Sequence, residues 1–102
     1  MYLTNALLPL LRAAAAKNAA LPVGIARSAV IMMSTASSSI NENTGGGLTA
    51  YRVSKTALNM VMKNFSLELK EDGVLVLCMH PGWVRCDVVF CVQYLATVSC
   101  FM

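Results

Sequence analysis

Apolar positions recur along the chain in two different rhythms, and the change of rhythm predicts its elements. Leu3, Leu7, Leu8 and Leu11 fall at helical spacing and run into alanines of high helix propensity, which predicts a helix over 2–18. Pro9 within that stretch predicts a kink or a later start, because proline donates no backbone hydrogen bond and crowds the preceding turn. Leu21-Pro22-Val23-Gly24 reads as a connector. Ser28 to Ser34 (SAVIMMS) is a short, continuous apolar run, as expected of a strand buried on both faces in a parallel sheet. A loop rich in Ser, Asn, Thr and Gly follows over 35–47. Helical spacing then returns: Leu58, Val61, Met62, Phe65 and Leu69 form one stripe, predicting a helix over 49–71 with Thr49 as its cap and Gly73 as its stop. Residues 74–79 (VLVLCM) predict a second apolar strand, closed by the turn signal His80-Pro81-Gly82. The order helix–strand–helix–strand contains a βαβ unit, an α/β arrangement whose crossover is expected to be right-handed. Residues 88–102 show no clear periodicity.

Composition narrows the function classes. The 102 residues fit one domain, and 57% of them are hydrophobic against 13% charged, which is apolar for a small domain and suggests faces covered by something else. The net charge of +3 comes from Lys and Arg scattered from Arg12 to Arg85, without the basic face that nucleic-acid binding requires. Cys78, Cys86, Cys91 and Cys100 form no C-x-x-C pair and His80 is the only histidine, so neither a zinc site nor a disulfide framework is expected, and a reducing compartment, the cytoplasm, is the default. Cys78 reads as a small buried hydrophobe. The leucine-rich start lacks the leading positive charge of a signal peptide. The uncharged run 88–102 is shorter than the ~20 residues of a membrane-spanning helix. No membrane or nucleic-acid partner is therefore expected.

Tyr51 and Lys55 lie one helical turn apart, on one helix face. A free phenol, with a pKa near 10, is a poor proton donor or acceptor at neutral pH. An adjacent ammonium favours the phenolate, which lets such a pair exchange a proton with a carbonyl or an alcohol. An isolated Y-x-x-x-K is more often an ordinary surface pair. Here the pair opens a helix that follows an apolar strand ending in Ser34-Thr35, and the next strand ends in Pro81-Gly82. In open α/β sheets, ligands bind beyond the carboxyl ends of strands.

Met33-Ser34-Thr35, then Tyr51-Arg52-Val53-Ser54-Lys55-Thr56-Ala57-Leu58-Asn59, then His80-Pro81-Gly82-Trp83-Val84, resemble the short-chain dehydrogenase/reductase family, in its C-factor and sniffer-like carbonyl reductase branch, over about residues 2–87. The resemblance implies a partial Rossmann-like, doubly wound α/β fold. Residues 1–87 would be the C-terminal catalytic portion of the domain and 88–102 a divergent apolar tail. It implies NADP or NAD as cofactor and a small carbonyl as substrate. Tyr51 would be the proton donor, and Lys55 would tune it and hold the nicotinamide ribose. Thr35 stands where the family has its catalytic serine, with Ser34 beside it. Pro81, Gly82, Trp83 and Val84 would border the nicotinamide, although Trp83 reads equally well as a packed aromatic. Cys86 occupies the position of a usual threonine. Asn5 does not match the family's catalytic asparagine, and His80 matches a non-catalytic position. Gly45-Gly46-Gly47 lacks the spacing of the family's phosphate-binding turn. The competing expectation is a catalytically inactive fragment or subunit-interaction module without a cofactor site. In this family the two helices commonly pack against a partner subunit, which implies a homo-oligomer through them.

Overall fold

The computed structural model describes residues 1–82. Helix α1 spans Tyr2–Lys17, strand β1 Ala29–Met33, helix α2 Thr49–Glu68 and strand β2 Leu75–Met79. A single 3₁₀ turn, Ala36–Ser38, interrupts the loop after β1. The strands pair in parallel, from Ala29 with Leu75 to Met33 with Met79, so their carboxyl ends lie side by side. This is the α/β arrangement expected from the sequence, with α2 as the crossover.

Side chains alternate across the two strands, and one set faces both helices. Met32, Val76 and Cys78 are buried with Met62, Phe65 and Leu69 of α2 and with Ala15 of α1, while Leu8, Leu11 and Val30 pack at the margin. Burying these side chains contributes about 1.5–3 kcal/mol for each large one, which is what holds the layers together. The opposite set is open: Ile31 is 43% and Met33 47% exposed. The expectation of burial on both faces is thus corrected. A continuous apolar run marks a strand that suits two covers, and the described residues supply a helical layer on one face only.

Local chemistry corrects three boundaries. Helix α1 runs through Pro9 rather than starting after it. Leu8, Leu11 and Ala15 dock it on the core, whereas Leu3 and Leu7 of the predicted stripe are exposed. Ser28 Oγ and Arg27 Nε donate to the carbonyls of Leu11 and Ala15 at 3.0 and 3.2 Å. Thr49 is the first residue of α2 and not its cap. Leu48 occupies the capping position, left-handed at φ 49°, without a side-chain bond. It follows Gly46 and Gly47, which are themselves left-handed at φ 65° and 70°. At its far end α2 closes at Glu68, short of residue 71. Leu69 then turns the chain, accepting a bond from Val74 N at 3.3 Å, with Gly73 left-handed at φ 71° between them.

Candidate active site

Tyr51 lies in the first turn of α2, and the residue is 46% exposed. Among the described residues its hydroxyl has no hydrogen-bond partner. Lys55, one turn on, stretches along the ring, with its Nζ 6.0 Å from the ring centroid. That Nζ donates at 2.9 Å to the carbonyl of Met33, the last residue of β1. The ammonium is therefore moored at the carboxyl end of the sheet, beside Ser34 and Thr35. An ammonium has three donors, so two remain for a ligand.

The hydroxyls that follow β1 are sorted by a small network. The backbone N–H of Ser34 donates to Met79 O at 2.8 Å, extending the strand pairing by one rung. Its side chain is buried and donates to Asn59 Oδ1 at 2.6 Å. Asn59 Nδ2 donates to Ser38 Oγ at 2.7 Å, and Ser38 Oγ donates to the carbonyl of Thr35 at 2.5 Å. Thr35 caps the 3₁₀ turn, its Oγ1 accepting from Ser37 N at 3.3 Å. Ser34 and Ser38 have thus committed their hydroxyl protons, whereas Thr35 retains one to donate. Arg52 braces the same loop from α2, bonding the carbonyls of Gly47 and Ser37 at 3.0 and 3.1 Å.

Between the loop and the strand ends lies a cavity of about 300 Å³, lined by Ser34, Thr35, Ser38, Asn59, Cys78 and His80 among others. His80 Nδ1 is buried there without a partner. Burial pushes the Cys78 thiol above its ordinary value, and the Lys55 ammonium opposes that shift. A larger groove of about 660 Å³ runs between the loop and α2, lined by residues such as Ile40, Val53, Met60 and Lys63. Neither space includes Tyr51 or Lys55 in its lining, so size is a poor guide to the chemistry here.

Of the sequence-predicted residues, Lys55 reaches the end of β1, where Ser34 and Thr35 follow the strand, and Tyr51 lies one helical turn before it on α2. Pro81 and Gly82 follow the end of β2, with Gly82 left-handed at φ 78°. Trp83 and Val84 lie outside the described residues, as do Cys86 and the tail 88–102. Sequence reasoning gave no role to Asn59 and Ser38. A signal existed for Asn59: it continues the Tyr51, Lys55 spacing by one more turn and is a polar residue bordering the apolar stripe. Among the described residues no group of three or more His, Cys, Asp or Glu could hold a metal, and no helix is long and apolar enough to cross a membrane.

A family model described as short chain dehydrogenase matches residues 15–91. The carbonyl reductase Sniffer of D. melanogaster superposes with a TM-score of 0.81 at 46% identity, over 83% of this chain and 34% of that one. The NADPH-bound carbonyl reductase from chicken fatty liver superposes with a TM-score of 0.73 at 34% identity, over 83% of this chain and 33% of its own. The C-signal protein of Myxococcus xanthus is 36% identical over 88 residues, 86% of this chain and 46% of its own length. The chain thus spans less than half the length of each of these proteins.

Proposed function

The chain belongs to the short-chain dehydrogenase/reductase family, and from that premise we propose that it serves NAD(P)-dependent reduction of a small carbonyl, or the reverse oxidation of an alcohol, with Tyr51 as the proton donor. The observation that carries this reading is the mooring of Lys55. One ammonium, fixed on Met33 O at 2.9 Å and lying along the Tyr51 ring, joins the helix-borne phenol to the strand end that carries Thr35.

The available groups fit the nicotinamide-ribose end of a dinucleotide. Lys55 has two donors free for ribose hydroxyls, and Pro81 and Gly82, after the end of β2, would border the ring; by the family resemblance Trp83 and Val84 would join them. A bound NADPH or NADH would supply the hydride. Groups for the rest of the dinucleotide are not among the described residues. Tyr51 Oη, exposed and uncommitted, donates its proton to the carbonyl oxygen, and Lys55 holds positive charge beside the phenolate that results. Thr35 donates a hydrogen bond to the same oxygen as charge develops on it. Ser34 supports Thr35 from the buried side, since its own proton is held by Asn59. The buried, reduced Cys78 agrees with a cytoplasmic setting.

The test is carbonyl-dependent oxidation of NADPH, followed by absorbance with a series of small aldehydes and ketones. Tyr51→Phe should lower turnover by about 10²-fold or more, the usual contribution of a general acid. Because the hydroxyl bonds to nothing within the described chain, thermal stability should not change. Undiminished turnover in Tyr51→Phe would reject the assignment.

One observation favours a second reading, a non-catalytic subunit-interaction module. Val53, Met60 and Leu67, spaced seven residues apart along α2, are all exposed. Such a stripe suits packing against the helix of another copy. Met60→Lys should then turn an oligomer into a monomer in sedimentation. An unchanged mass would remove this reading.

A further inference from the structure

Residue 59 lies two turns beyond Tyr51 on α2, one turn past the Tyr51–Lys55 pair. Its amide is the centre of the network at the strand end. The directions of the bonds are fixed by exclusion. Ser38 Oγ gives its only proton to Thr35 O, at 2.5 Å, so it must accept from Asn59, which places Nδ2 toward Ser38 at 2.7 Å. Asn59 Oδ1 is then the acceptor for Ser34 Oγ at 2.6 Å. The 3.3 Å approach of Ser34 Oγ to Ser38 Oγ has no proton left to share. One side chain of α2 therefore grips the residue before Thr35 and, through Ser38, the carbonyl of Thr35 itself.

That grip bears on the orientation of the Thr35 hydroxyl. The 3₁₀ turn is only three residues long. Its hold on Thr35 consists of the bond from Ser37 N to Oγ1 and those from Ser38 N and Ser38 Oγ to Thr35 O. Without Asn59, Ser38 Oγ loses the donor that orients it. Ser34, buried at the strand end, is left to find another acceptor. The turn can then relax, and with it the N–H that holds Thr35 Oγ1. A threonine needs this more than a serine would, because one rotamer presents the hydroxyl and another presents the methyl to the same place.

We infer that Asn59 is a positioning residue: through Ser34 and Ser38 it locks the turn that sets Thr35 with its hydroxyl, not its methyl, toward the reacting carbonyl. The inference rests on the assignment of Thr35 to the substrate oxygen. Asn59 touches neither substrate nor cofactor.

The decisive variant is Asn59→Asp, which keeps size and acceptor but at neutral pH cannot donate to Ser38. Two readouts do not need turnover. The Thr35 methyl couplings should report one side-chain rotamer in the unaltered chain and an average in the variant. Amide exchange at Ser38 should accelerate about tenfold or more, with Val76 and Leu77 in the sheet unchanged. A single unaltered rotamer, or equal acceleration in the sheet, overturns the inference, the second because it marks general loosening. The third readout is a cycle with Thr35→Ala in the carbonyl assay. Asn59→Asp should lower kcat about tenfold with KM held within twofold, and should do nothing further once Thr35→Ala is present. Multiplying losses would overturn the inference. A chain that turns over no carbonyl at all would refute the proposed activity instead, and the rotamer and exchange measurements would still decide the role of Asn59.

Discussion

Leu69 shows how strongly this small fold depends on single contacts. It is 1% exposed, where α2 gives way to the turn into β2, and it buries its side chain in the core that includes Phe65, Val74 and Ala15. Its backbone also holds the turn, donating to Phe65 O at 2.9 Å and accepting from Val74 N at 3.3 Å. Leu69→Ala removes the burial of most of that side chain and leaves a cavity, because the two helices and the sheet cannot close in from all sides together. Substitutions of this kind cost about 2–5 kcal/mol. A fold of this size is stabilised by only about 5–15 kcal/mol in total. With a urea dependence of about 1–1.5 kcal/mol per molar, the unfolding midpoint should drop by roughly 1.3–5 M. Leu67 supplies the control, since it is the same residue type, two positions earlier on the same helix, and 59% exposed. Leu67→Ala should stay within about 0.5 kcal/mol. Urea unfolding followed by circular dichroism measures both. Equal midpoints for the two variants would refute the packing argument.

Two further perturbations follow from particular geometries. Gly73→Ala places a Cβ on a residue at φ 71°, 2.8 Å from Arg27 Nε, so it adds left-handed strain of about 1–2 kcal/mol and dislodges the guanidinium from Ala15 O. The melting temperature should fall and should recover in part in an Arg27→Ala background; full additivity would contradict the contact. Burial raises the Cys78 thiol above 9.0. A folded-state value above the unfolded one stabilises the fold at lower pH, and that contribution is lost as the pH climbs past 9.0 through the folded value. The urea midpoint of the chain should therefore fall more between pH 8 and pH 10 than that of Cys78→Ala, and parallel declines would contradict the assignment.

What the sequence disclosed and what it concealed divide along physical lines. The strands and α2 were legible because a continuous apolar run and a 3.6-residue stripe are local signals of burial. The Tyr51–Lys55 pairing was legible because helix geometry alone makes residues four apart neighbours. The left-handed Leu48 was not, since leucine rarely adopts that region and nothing in the apolar pattern marks it. Ile31 and Met33 read as buried because their chemistry suits a covered face, but pattern carries no information about which layer is there to cover it. Asn59 shared the helical spacing of the pair, but its role was hidden for a third reason. Its value lies in Ser34 and Ser38, more than twenty residues away, and only folding brings their oxygens within bonding distance.

The central claim is that the Tyr51–Lys55 edge, joined to the strand ends at Thr35 and Gly82, receives the nicotinamide end of a dinucleotide. An NMR titration of the labelled chain with NADPH tests it most directly, because it reports location even when binding is weak. The account predicts saturable shifts centred on the amides of Thr35, Tyr51, Lys55 and Gly82, reduced at least tenfold in affinity by Lys55→Met. Shifts centred instead on the groove at Ile40, Met60 and Lys63, or none in a chain that retains its folded spectrum, would contradict it.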